Sequence, residues 1–158
     1  MPFRPLPLPA TIPGAVWLHS MPGRLEGWEA FLAEAEHCRV SLVVCLTPRH
    51  EIASLSPAYE AALRAGTLPM RWLPLPMRDF GLADNLRDFR AGIEQLADAL
   101  TAGDVALLHC AAGIGRTGTA AACLLARLGV PREAALRQVL DAGSNPQSAA
   151  QAGLINTF

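Results

Sequence analysis

Cys110 and Arg116 bracket a glycine-rich stretch, HCAAGIGRTGT (residues 109–119), and no other residues in the chain are so suited to chemistry. A cysteine thiolate is a strong nucleophile near neutral pH. An arginine guanidinium is a planar fork that matches two oxygens of a phosphoryl group. At the spacing Cys-x5-Arg, Arg116 can close a ring around one phosphoryl group held above Cys110. The backbone N–H groups of Ala111, Ala112, Gly113, Ile114, Gly115 and Arg116 can point inward as an anion nest with a helix dipole behind it. Gly113, Gly115 and Gly118 permit positive φ and close backbone approach. His109 is expected to point away and order the loop, and Thr117 to donate its hydroxyl to the Cys110 sulfur. Other readings exist: the same glycines spell G-x-G-x-x-G, a dinucleotide-binding pattern, and a single cysteine is commonly a buried core residue.

The elements that must carry this loop decide against the dinucleotide. That reading needs the loop in the first β-α unit, then a second strand bearing an acidic residue about 20 residues on. Here GVPREAALRQVL follows as a further helix, Glu133 falls on that helix, and 40 residues remain after Gly118, too few for a second mononucleotide half. The apolar runs at 40–47 and 105–109 read as buried strands and 70–76 as a further strand closed by Pro76, with a short edge strand at 15–20. Between and after them the pattern predicts helices at 26–37, 57–65 (Pro57 first, Gly66 as stop), 84–100 (capped by Asp84), 116–129 and 131–142, and a last one after GSNPQ. Strands separated by helices predict a single-domain α/β fold: a mostly parallel sheet of four to five strands with helices on both faces. The loop then sits at the carboxyl end of a strand, where such folds bind ligands. Residues 1–14 read as an extended segment before a catalytic domain of residues 15–158.

Composition narrows the classes further. A chain of 158 residues, 51% hydrophobic and 17% charged, suits one globular core. A net charge of −1 gives no general attraction to nucleic acid or to a membrane, and neither is expected as a partner. All 13 basic residues are arginine, which removes the P-loop lysine and Schiff-base chemistry. The four cysteines include no C-x-x-C pair and no histidine pair has zinc spacing, so neither metal nor cofactor is expected. The proline-broken start lacks the apolar core of a signal peptide, and a cytoplasmic protein with reduced thiols is the expectation.

The sequence His109-Cys110-x5-Arg116-Thr117 resembles the signature of the cysteine-dependent protein tyrosine phosphatase superfamily. Chain length, the loop two-thirds along, and the segments LHSMPGR, CLTPRHEI, PLPMRDFGLADN and QSAAQ are similar to the compact dual-specificity, kinase-associated-phosphatase-like subgroup. The resemblance implies an aspartate about 30 residues before the cysteine that protonates the leaving oxygen. Asp79, 31 residues before Cys110, fits better than Asp84, whose place suits a helix cap. It also implies glutamines that position water, with Gln147 and Gln151 as the match, or as residues of an exposed helix face. Cys45 near a strand end is either a core residue or a redox partner of Cys110, and Glu51 either a rim residue or a surface cap.

The expected reaction is phosphomonoester hydrolysis through a phosphocysteine, on a phosphoprotein or phosphopeptide, with oxyanion analogues binding in the loop. Relatives that cleave phosphoinositides commonly carry extra basic residues in the loop; here Arg116 is its one basic residue, which favours phosphotyrosine, with phosphoserine and phosphothreonine also accepted. A small-molecule or lipid phosphate, or a phosphoprotein-binding module with little turnover, are the alternatives.

Overall fold

The apolar runs LVVC and VALLH lie side by side in the interior of one sheet, buried on both faces, which is why neither alternates in polarity. The computed structural model describes residues 3–78, 85–146 and 153–158. Its sheet comprises β1 (Arg4–Leu6), β2 (Ala15–His19), β3 (Leu42–Cys45), β4 (Arg71–Pro74) and β5 (Val105–His109), in the order β1-β2-β5-β3-β4. All neighbours are parallel except β1 and β2, which pair antiparallel. The mostly parallel five-stranded α/β sheet matches the expectation from sequence.

Among the described residues, six helices cover it: α1 (Trp28–His37), α2 (Arg49–Leu55), α3 (Pro57–Ala65), α4 (Leu86–Thr101), α5 (Gly115–Arg127) and α6 (Arg132–Asp141). Side chains alternate across the sheet. Val16, Leu18, Leu42, Val44, Ala106 and Leu108 join the core formed with α4, α5 and α6. Val43 and Leu107 turn to the opposite face, against Phe31 and Ala35 of α1. Met21, Cys45, Ile52 and Tyr59 form a third cluster where α2 and α3 pack. From Gly115 to Leu125 every residue of α5 is buried, so this helix is the centre of its layer and consists largely of small residues.

Three local expectations need correction. The strand at 15–20 is not an edge: the proline-rich start supplies β1, which pairs outside it with Arg4 opposite Leu18. Pro5 is tolerated because β1 is itself the edge strand, and Pro7 follows its end. The cap of α4 is Asn85, whose Oδ1 accepts from the Asp88 N–H at 3.1 Å, rather than Asp84, which lies outside the described residues. The helix α2 was not foreseen; seven residues are too few to display a period, and Ile52 is its one buried residue.

Candidate active site

The parallel register brings three strand ends together. His109 of β5 is level with His19 of β2 and with Cys45 of β3. Cys110 follows at the carboxyl end of β5, and the loop 110–114 then enters the N-terminus of α5. Gly113 is the one loop residue that needs a left-handed backbone, with φ +76°, and a Cβ there would lie 2.5 Å from the His19 carbonyl oxygen. Gly118 is different from the expectation: it is helical, and its role is close approach, since a Cβ would meet the Asn145 nitrogen at 2.6 Å. Gly115 is likewise helical, opening α5.

The loop carbonyls are held from outside. Cys110 O faces His109 Nδ1 at 3.1 Å. Ala111 O accepts from the Met21 N–H at 3.1 Å and from Arg24 Nη1 at 2.9 Å. Gly113 O accepts from Arg4 Nη2 and from Ser144 Oγ, each at 2.6 Å. Ile114 O accepts from the Asn145 N–H at 3.1 Å and the Gly118 N–H at 2.8 Å. In a trans peptide unit the carbonyl and the following N–H point in opposite directions. Carbonyls secured on the outside therefore aim the N–H groups of Ala111, Ala112, Ile114 and Gly115 the other way, as a nest requires.

The sulfur of Cys110 receives two donors, the Gly113 N–H at 3.2 Å and the Thr117 hydroxyl at 3.1 Å. The contact expected of Thr117 is thus present. His109 is fully buried and points away from the sulfur. Its Nδ1–H donates to the Cys110 carbonyl and its Nε2 accepts from Tyr59 Oη at 2.8 Å, while Tyr59 Oη accepts from Trp72 Nε1 at 2.9 Å. This chain fixes the neutral Nδ1–H tautomer. Burial pushes the His109 pKa down to about 4, and the nearby Arg116 charge works in the same direction. The thiol of Cys45 is pushed up by burial and hydrogen-bonds Thr47; all four cysteines are free.

Arg116 is 2% exposed, and its guanidinium is held by a carboxylate and a backbone carbonyl. Nη1 and Nη2 bond Glu51 at 2.8 and 2.9 Å, and Nη1 also bonds the Met77 carbonyl at 3.1 Å. Glu51 comes from the first turn of α2, and the neighbouring Arg49 bonds Glu60 of α3 bidentately. Asp79, Gln147 and Gln151 lie outside the described residues, as does Asp84. Two described residues that precede them in sequence touch the loop: Met77 O is on Arg116 Nη1, and the Asn145 N–H is on Ile114 O. Sequence reasoning assigned nothing to Arg4, Arg24 or Tyr59. Arg24 stands in the LHSMPGR segment that carries the family resemblance; Arg4 stood in what read as an extended segment.

Residues 11–153 match the family model of the Swiss Army Knife protein DSP-PTPase phosphatase domain, PTP-SAK. No curated protein matches the chain in sequence. Among solved structures, kinase-associated phosphatase with its catalytic cysteine replaced by serine is similar over 100% of this chain and 94% of its own, at 20% identity and TM-score 0.84. The human tyrosine phosphatase-like serine/threonine/tyrosine-interacting protein is similar over 93% and 91%, at 19% identity and TM-score 0.71. PTPMT1 in complex with PI(5)P is similar over 90% and 88%, at 21% identity and TM-score 0.65. At these identities the structures establish the fold.

Proposed function

From a chain that belongs to the PTP-SAK family of DSP-PTPase domains, and is thus a cysteine-dependent phosphatase, we propose a phosphotyrosine phosphatase acting through a phosphocysteine on Cys110. One observation carries the reading. The Cys110 sulfur takes two hydrogen bonds at the floor of a loop whose carbonyls are tied outward, with the Arg116 guanidinium fixed alongside. That is the environment a thiolate and a phosphoryl dianion both need.

The Cys110 thiolate attacks phosphorus in line; the S–P bond forms as the ester P–O bond breaks, and Asp79 gives its proton to the departing oxygen. Arg116 and the loop N–H groups take the charge on the phosphoryl oxygens. Water, positioned by Gln147 or Gln151, then attacks phosphorus, Asp79 takes its proton, and the S–P bond breaks to release phosphate. The Thr117 hydroxyl, 3.1 Å from the sulfur, eases that departure by stabilising the returning thiolate. A cleft of about 350 Å3 lined by Thr47, Pro48, Trp72 and Met77 shares Met77 with the Arg116 site and suits residues flanking a phosphotyrosine. A second reading is a lipid phosphate: exposed Arg24 beside Ala111 adds a cation that the loop sequence lacks, and PTPMT1 was crystallised with PI(5)P.

Hydrolysis of an aryl phosphate by the purified chain tests the chemistry, and should be abolished by Cys110→Ser. Asp79→Ala should lower kcat strongly with little change in KM; a loss seen in Asp84→Ala instead would move the acid. Turnover of phosphotyrosine peptides above phosphothreonine peptides and phosphoinositides is the expected preference. A phosphoinositide turned over best would replace the protein substrate with a lipid.

A further inference from the structure

The loop carbonyl nearest the middle of the cradle is held by a residue more than a hundred positions away. Arg4, on the edge strand β1, donates from Nη2 to Gly113 O at 2.6 Å. From Nη1 it donates to Ala142 O at 2.8 Å and to Ser144 Oγ at 2.9 Å, and Ser144 Oγ donates in turn to Gly113 O. Arg4, Ser144 and Gly113 thus form a closed ring of hydrogen bonds behind the loop. Gly113 is where the loop is least restrained by its own backbone, because glycine adopts φ of either sign at little cost. Turning its carbonyl inward would withdraw the Ile114 N–H from the pocket and put a partial negative charge in its place.

Charge points the same way. All three acceptors of Arg4 are neutral, so no carboxylate among these partners cancels it. Arg116, by contrast, is paired with Glu51. Arg4 is half-buried, which weakens solvent screening between it and the loop. Burial lowers the Arg4 pKa, and a negative charge on Cys110 works in the opposite direction.

We propose that Arg4 is a positioning residue of the phosphate cradle: it locks the Gly113–Ile114 peptide with its N–H inward and contributes positive charge to the anion bound there. The proposal rests on the reading of this loop as a phosphate cradle. It also makes β1 part of the site.

Tungstate affinity, measured by calorimetry on wild type, Arg4→Met, Arg4→Lys and Ser144→Ala, tests it without depending on turnover. Arg4→Met should weaken tungstate about tenfold and slow alkylation of Cys110 by iodoacetamide at mildly acidic pH by a similar factor. Arg4→Lys keeps the charge and loses the fork, so it should recover most of the alkylation rate and only part of the affinity. Ser144→Ala, which keeps Arg4, should lose about threefold and covers the case in which Arg4→Met does not fold. A folded Arg4→Met that binds tungstate like wild type overturns the proposal. So do equal losses in the Met and Lys variants, which would indicate packing alone, and a wild type that binds no tungstate. A wild type that binds tungstate but hydrolyses nothing refutes the catalytic reading and leaves the affinity series to judge Arg4.

Discussion

Arg116 is nearly buried and Glu51 mostly so, and each of the two guanidinium–carboxylate bonds is short. Such a pair is weak evidence for net stability, but removing one partner takes a fixed, hydrogen-bonded counter-charge from the other. Glu51→Ala should therefore cost about 3 kcal/mol in urea unfolding and lower kcat/KM for an aryl phosphate by at least about tenfold, because the fork loses its fixed plane. A loss below about 1 kcal/mol would mean that solvent or another group already balances Arg116. Residue chemistry was legible where it was local: Cys110, Thr117 and His109 are contiguous or nearly so, and the hydrogen bonds expected of Thr117 and His109 are present. Glu51 was visible as a candidate rim residue, yet nothing in the sequence said that its partner lay 65 residues away.

The helices behind the loop act as struts. Tyr59 on α3 carries one hydroxyl between Trp72 on β4 and His109 on β5, so three elements meet at one oxygen. Tyr59→Phe keeps the ring and removes the link, leaving a buried imidazole nitrogen unpaired and the Trp72 N–H without this acceptor. The expected loss is about 2 kcal/mol by urea unfolding, with KM raised as His109 loses its grip on the Cys110 carbonyl. A loss under about 0.5 kcal/mol would show that water replaces the hydroxyl. At this scale the strands and longer helices were readable, since apolar runs and helical periodicity are local signals. The cap of α4 was misplaced by one residue: Asp84 and Asn85 are both good caps, and only backbone geometry chooses between them. That shift also removes the capping role that separated Asp84 from Asp79.

Across the whole molecule, two neutral histidines are buried at adjacent strand ends, His109 with a pKa of about 4 and His19 with its own lowered chiefly by burial. The unfolded chain takes up protons near pH 6.5, the folded chain only near 4 for His109. Their contribution is therefore complete above about pH 6.5 and is lost as pH falls toward about 4, levelling off below; for His109 the loss is about 3 kcal/mol. Glu60, Glu94 and Asp104 are held below the ordinary carboxylate range by their arginine and serine partners, so their contributions fade only at lower pH. Urea midpoints taken between about pH 7 and pH 5 isolate the histidines, and a flat profile there would contradict the assignment. The sequence by itself determined the candidate nucleophile Cys110, the arginine six residues on, the loop between them and the α/β class, because each depends on near neighbours or on a repeating pattern. Tertiary structure alone decided that a proline-rich start is an edge strand, that Arg4 and Ser144 hold Gly113, and that Glu51 holds Arg116. Those contacts join residues that chain order leaves far apart, and only the packing of β1, α2 and α6 around β5 and α5 brings them within hydrogen-bonding distance.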